Sequence, residues 1–324
     1  MTSWGEPLLL SEEESFISSS SSVIFRLITL IAPFFFWGTS MVAMKSLGTQ
    51  GLSPNLIGTL RLVPGGALVV LYALFYGRKT NPRSLRAWAI ICLFALVDAT
   101  MFQYFLTQGL QRTAAGLGSV IIDSQPLTVA LASTYLYGET LGRRGIIGLF
   151  AGVLGLSMLE IKIPGPSKTT TTTPTALGDL FMLLAAQSMA VGTLLSPWVS
   201  SVCDPILATG WHMVLGGVPL FFGGLLFDQG WGATLAELRV LSLLQWSLVM
   251  YMSVLGGAVG YGLFFFHASR GNLTSLSSMT FLTPVFAATT GYFFLGERLT
   301  MVQLTGAGVT LLAVYLIGTR DEKT

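Results

Sequence analysis

Ten apolar stretches of about twenty residues follow one another through almost the whole chain, at Leu27–Leu47, Pro54–Tyr76, Arg86–Thr107, Thr113–Tyr137, Arg144–Ile161, Leu177–Ser200, Asp204–Phe227, Leu243–His267, Leu273–Leu295 and Thr300–Gly318. A helix rising about 1.5 Å per residue needs roughly 20 residues to cross a hydrocarbon core of about 30 Å, so each stretch has the length of one membrane crossing. Lipid leaves only two ways to satisfy the backbone, helices or a closed barrel. The stretches are continuously apolar and do not alternate with period two, which selects helices. Charged residues make up 10% of the chain and hydrophobic ones 52%, whereas a soluble domain carries about 25% charge. The sequence therefore predicts an all-α integral membrane protein with ten transmembrane helices.

The spans are duplicated. Pro126, Gly138-Glu139-Thr140-Leu141 and Gly148 recur as Pro284, Gly296-Glu297-Arg298-Leu299 and Gly306, each 158 residues later. A second echo sets Arg61-Leu62-Val63-Pro64-Gly65-Gly66 against His212-Met213-Val214-Leu215-Gly216-Gly217, 151 residues later. Similar offsets imply one repeated unit of five spans. Five is odd, so the second unit must lie upside down relative to the first, a transporter layout with its site near the midplane. The expected organisation is a Ser-rich, acidic and disordered tail (1–26), a first five-helix repeat (27–161), a Thr/Pro linker (162–176), a second five-helix repeat (177–318) and a short C-tail (319–324).

Basic residues orient the bundle. One side carries Arg26, Arg78, Lys79, Arg83, Arg86, Arg143, Arg144, Arg270, Arg320 and Lys323; the other carries Lys45, Arg112, Lys162, Lys168, Arg239 and Arg298. Ten against six predicts cytoplasmic N and C termini. Glu6, Glu12, Glu13 and Glu14 precede the first basic residue, Arg26, unlike an Arg-rich, acid-poor transit peptide. The choice of membrane stays open between plasma membrane and organelle. Cys92 and Cys203 suggest no disulfide framework, and the sequon Asn272-Leu273-Thr274, close to the membrane on the cytoplasmic side, is expected to be unmodified.

Four polar side chains fall at mid-span: Arg61, Asp98, Asp123 and His212. An Arg or Asp at a helix centre costs roughly 2.5–3.5 kcal/mol on insertion scales, so such residues face the bundle interior or a wet cavity and pair there. Gly116, Ser119, Asp123 and Pro126 share one helical face, as do Gly58, Arg61, Pro64, Gly65 and Leu68. Because Arg61 corresponds to His212, the two are expected at equivalent positions across a central cavity. Two readings stay open: a static network of Arg61 with carboxylates that locks helices together, and a proton taken up and released at Asp98 or Asp123 in exchange with substrate. Trp37, Gln103, Tyr104, Gln187, Trp211 and Tyr261 complete the candidate substrate and proton pathway, with packing as the alternative role of each. Trp88, Trp198 and Trp246, near span ends, read as interfacial anchors.

Gly138 and Gly296 suit left-handed helix ends, with Glu139 and Glu297 then at the start of the following helix, a hairpin device or a gate. Pro126 and Pro284 each remove a backbone donor and are expected to kink spans four and nine into hinges. Gly148-x-x-x-Gly152 and Gly256-x-x-x-Gly260 suggest close helix packing and a homodimer surface.

Phe36-Trp37-Gly38-Thr39-Ser40, the paired Pro and Gly-Glu motifs and the duplication resemble the EamA domains of the drug/metabolite transporter superfamily, over about Leu27 to Gly318. Ala95-Leu96-Val97-Asp98-Ala99-Thr100, Gly118 to Pro126, Leu184 to Met189 and Thr209 to Met213 are similar to the WAT1-related branch of chloroplasts and cyanobacteria. That resemblance implies two EamA domains around a central cavity and movement of small organic metabolites, and names no substrate. A sugar-phosphate or nucleotide-sugar carrier of the same superfamily would want several basic groups in the cavity, and here only Arg61 is deep. An intramembrane aspartyl hydrolase would need a Gly-x-Gly-Asp element, and Ala176-Leu177-Gly178-Asp179 lacks its first Gly. Charged rings for a channel, a Cys/His metal cluster and a nucleophile-base pair are not evident. The expectation is a non-enzymatic transporter, working by alternating access on amino-acid-like or amphipathic solutes, without cofactor or nucleic-acid partner.

Overall fold

The computed structural model describes residues 20–76, 82, 84–112, 121–140, 142–159, 176–228, 230–295 and 300–318, and the regular structure among them is helical. The first helix, α1 (Ser20–Thr49), begins before the expected Leu27 and takes in the last residues assigned to the tail. Next comes α2 (Pro54–Phe75), with Pro54 in the first turn, where a missing N–H breaks no helical bond. The third span is α3 (Leu85–Phe94), a π-helical stretch (Ala95–Met101) and α4 (Phe102–Arg112). Past a turn at Asp123 and Ser124 lie α5 (Gln125–Tyr137) and then α6 (Arg143–Leu159).

α7 (Ala176–Val202) leads to α8 (Pro205–Gly223), which Asp204 caps by accepting from the N–H groups of Ile206 and Leu207. A π stretch (Gly224–Asp228) closes that span, and a short helix that the sequence did not announce, α9 (Gly230–Arg239), follows. The eighth span repeats the design of the third, with α10 (Leu243–Tyr251), a π stretch (Met252–Val259) and α11 (Gly260–Ala268). Ser84 and Ser242, 158 residues apart, cap α3 and α10 through the N–H groups of Ala87 and Gln245. The ninth is divided into α12 (Leu273–Ser278), a 3-10 turn (Met279–Phe281) and α13 (Leu282–Leu295), and α14 (Met301–Gly318) ends the described chain.

Six helical stretches among the described residues are long and apolar enough to cross a membrane: Phe25–Gly48, Pro54–Phe75, Leu85–Gly109, Ala176–Val202, Pro205–Leu226 and Leu243–Ala268. Two shorter apolar helices, Leu273–Ala287 and Met301–Ile317, accompany them. Leu131, Phe150 and Leu226 stand more than two-thirds exposed on the outside, an exterior suited to lipid and not to water.

Prolines 126 and 284 act differently from the expected kinks. Pro126 lies in the first turn of α5, just after the helix has already broken at Asp123 and Ser124. Pro284 lies in the first turn of α13, after the 3-10 turn. A proline is tolerated in a first turn and disfavours helix immediately before it, so both spans are interrupted instead of bent. Gly116 and Ser119 lie outside the described residues, as do Gly296 and Glu297.

Small residues set the closest helix approaches. Along α2 and α8, Val63 lies against Gly217, Gly66 against Val214 and Val70 against Gly210, so the helices run antiparallel. Gly148 of α6 lies against Ala313 of α14 and Gly155 against Gly306, again antiparallel. The close packing expected of the two Gly-x-x-x-Gly pairs is met within the chain, where Gly148 and Gly152 pack on α14 and Phe281, while Gly256 and Gly260 pack on Ser40 and Trp37. Those faces are covered from within the chain. Cys92 and Cys203 are free. Burial, and then the neighbouring Asp204 charge, push the Cys203 thiol, between α7 and α8, up to about 11, which keeps it a poor nucleophile.

Candidate functional site

A cavity of about 110 Å³ opens among α1, α2, α4, the α5 start, α7, α11 and the divided ninth span. One water needs about 10–15 Å³ by this measure, so the space suits a small organic solute. Its polar wall comprises Arg61, Asp123, Gln125, Thr280 and Thr283, and its apolar wall includes Trp37, Met41, Phe102, Leu106, Ile122 and Met189. Tyr261, Pro284 and Ala287 complete the lining next to these.

Each group is held by a local cause. The Trp37 indole N–H donates to the Gly256 carbonyl at 2.9 Å, and the ring meets those of Tyr261 and Phe264 at 5.2 and 5.1 Å. Arg61 is 3% exposed on α2; its Nη1 is 3.4 Å from Gln103 Oε1 and 3.5 Å from Met44 Sδ, and its Cζ lies 5.5 Å from the Tyr261 ring centre. Asp123 reaches the cavity because the helix breaks at that residue. Gln125 is buried in the next turn and donates to Thr193 Oγ1 at 3.3 Å.

The four mid-span polar residues do not form one cluster. Asp98 pairs with His212, Oδ2 to Nε2 at 2.9 Å, and both are fully buried. Asp98 stands on the π stretch facing α7 and α8, with Gly192 leaving room for its carboxylate. His212 stacks on Phe94 at 4.2 Å and is shielded by Tyr261 and Phe265. The expected carboxylate network around Arg61 is therefore corrected as regards Asp98, whose partner is His212. The expectation that His212 faces the cavity opposite Arg61 is also corrected, since the Tyr261 ring contacts both and only Arg61 is in the lining.

Among the aromatic and amide candidates, Trp37 and Tyr261 line the cavity, and Gln103 supports Arg61 from behind. Tyr104 is 39% exposed and packs near Phe181; one step along a helix turns a side chain by about 100°, so it cannot share the face of Gln103. Trp211 packs edge-on against Trp88 at 5.3 Å, and Gln187 is half-buried; neither is in the lining. Gln125 and Thr283 were missed. Each directly precedes one of the paired prolines, at the common offset of 158, and that repetition was the available signal.

Glu139 also differs from expectation. Gly138 ends α5 with φ 66°, in the left-handed region. Glu139 then turns away from α6 and caps α12, where Oε1 accepts from Leu273 N–H at 2.8 Å and Oε2 from Thr274 N–H and Oγ1 at 3.2 and 2.8 Å. Both helix N-termini attract carboxylates, and α12 offers two N–H groups and a hydroxyl together. Glu139→Ala should cost about 1–3 kcal/mol, checked by thermal unfolding in detergent; an unchanged midpoint would show the cap to be dispensable. Nearby, the Asn272 side chain is committed to Ser275 N–H at 2.8 Å.

Comparison with known proteins fits this architecture. The EamA-like transporter family matches at residues 24–161 and again at 176–319. A WAT1-related chloroplastic protein of Arabidopsis thaliana is 48% identical over 93% of this chain and 71% of its own length. An uncharacterized transporter of Synechocystis is 46% identical over 91% of this chain and 90% of its own, and a probable amino-acid metabolite efflux pump of Escherichia coli is 23% identical over 86% and 90%. A solved crystal structure is similar in fold, with a TM-score of 0.74 at 16% identity over 89% of this chain and 94% of its own. With both matched segments together spanning nearly the whole sequence, the chain belongs to the EamA-like transporter family and is a multi-pass membrane transporter.

Proposed function

We propose that the protein is a secondary transporter that moves small organic metabolites, amino-acid-like or amphipathic, by alternating access between two inverted five-helix units, 27–161 and 177–318. The observation that carries this reading is the cavity, whose walls come from both proposed units: α1, α2, α4 and α5 of the first, and α7, α11 and the ninth span of the second. The antiparallel packing supports the inversion. Adding the repeat offset exchanges the Val63–Gly217 contact with Gly66–Val214, and Gly148–Ala313 with Gly155–Gly306. Contacts exchanged in this way are what a two-fold relation between opposed units produces. The matching π stretches on spans three and eight and the matching breaks in four and nine add to it.

The charge bias favours cytoplasmic termini, and the chloroplastic relative makes a plastid envelope the first membrane in which to look. Asp98 and His212 serve as the helix lock, while Asp123, in the cavity wall, is the group that exchanges a proton. Counterflow of labelled metabolites in proteoliposomes tests transport. Across pH, Asp123→Asn should flatten the rate profile and Asp98→Asn should leave its shape intact; an unaltered profile in Asp123→Asn would end the proton role.

A further inference from the structure

Arg61 is a buried cation whose own chain does not complete it. Its guanidinium carries five N–H donors in a fixed planar fork. Its two contacts through Nη1 are long, at 3.4 and 3.5 Å, and Nε has no acceptor. Among the described residues no carboxylate lies within ion-pair distance of it. The adjoining Gln103 also has a buried Nε2 without a partner.

The repeat shows what is missing. The residue 151 positions beyond Arg61 is His212, which has a carboxylate, Asp98, at 2.9 Å. The residue 158 positions beyond Asp98 is Gly256, which has no side chain to offer and whose carbonyl is taken by Trp37. The Arg61 backbone lies against the adjacent Gly257. One arm of the duplication thus carries its counter-ion, and the other replaces it with glycine and turns the guanidinium to the cavity.

We infer that Arg61 binds a carboxylate group of the transported solute, so that the substrate class is small organic acids, amino acids included. A guanidinium presents parallel N–H groups that match the two oxygens of a carboxylate. The apolar part of the solute packs on Met41, Phe102, Leu106, Ile122 and Met189. A phosphate dianion is a poorer fit, because the cavity offers one guanidinium and places Asp123 in the same wall. The inference rests on the reading of this cavity as the substrate site.

The test uses the purified full chain and a set of probes sharing one branched alkyl body: 4-methylpentanoate, L-leucine, 4-methylpentanamide and 3-methylbutylamine, with inorganic phosphate as a fifth. Thermal shift and quenching of tryptophan fluorescence read binding. The two acids should bind, and the amide, amine and phosphate should bind at least tenfold more weakly. Arg61→Gln should lose at least tenfold in affinity for the acids, with Arg61→Lys recovering part; should Arg61→Gln not fold, the probe series on the parent and Arg61→Lys still decides. Equal binding of the amide, amine or phosphate, full affinity in Arg61→Gln, or binding of neither acid overturns the proposal. Counterflow in proteoliposomes separates the two claims: acid binding without flux leaves the Arg61 assignment and removes the reading of this cavity as the transport site, whereas flux of the amine without acid binding does the opposite.

Discussion

Asp98→Ala should lower the stability of the protein by about 3–5 kcal/mol, the cost of removing one member of a buried polar pair and stranding the other. His212 is fully buried, stacked on Phe94 and ringed by Tyr261 and Phe265, so it has no water to turn to once the carboxylate is gone. Its remaining contact is a 3.3 Å approach of Nδ1 to the Thr209 carbonyl. Asp98→Asn retains an oxygen at the same place and should cost less than half as much. Replacing the pair together, Asp98→Ala with His212→Phe, should recover most of the loss, because exchanging a buried pair for apolar groups is often neutral. Thermal unfolding in a single detergent measures all three. If Asp98→Ala alone unfolds within about 1 kcal/mol of the parent, the pair is not the lock that its burial indicates.

Hydropathy alone delimited most of the helices, because lipid demands long apolar segments and tolerates few exceptions. Boundaries failed where the cause was local. The early start of α1 at Ser20 lies in polar sequence, and α9 is too short and mixed to stand out. The mid-span polar residues were legible as buried, since their insertion cost leaves them no other place. Their pairing was not. Whether Asp98 meets Arg61 or His212 depends on a π stretch that turns the side chain off the ordinary helical register, and no composition signal marks such a stretch. The same limit explains Glu139, whose donor helix begins 134 residues away in the chain and is brought close only by packing. The interrupted spans were half readable: the prolines stood out, but Gln125 and Thr283 draw their place in the cavity from the break that precedes each proline.

Gly66→Val should be as damaging as the loss of Asp98, at about 3 kcal/mol, the upper range for overpacking a close contact. A Cβ at Gly66 would stand 2.7 Å from Met213 Cβ and 2.8 Å from both the Gly210 carbonyl oxygen and the Val214 nitrogen. Two of those atoms are backbone, so relief requires α2 and α8 to move apart, and no rotamer change suffices. Gly308→Ala is the control, because nothing lies within 4 Å of its added methyl; there the gain in helix propensity should stabilise by about 0.5–1 kcal/mol. The offset of 151 makes Gly217 the counterpart of Gly66. Gly217→Val would press on Val63 and on Leu62 Cβ, a side-chain-dominated contact, so its cost should have the same sign and a smaller size. Because the two substitutions strain one helix crossing, the double variant should fall short of the sum of the single ones. Additive losses would mean that the two glycines act at separate contacts, and the two-fold relation between the units would then lose its packing argument.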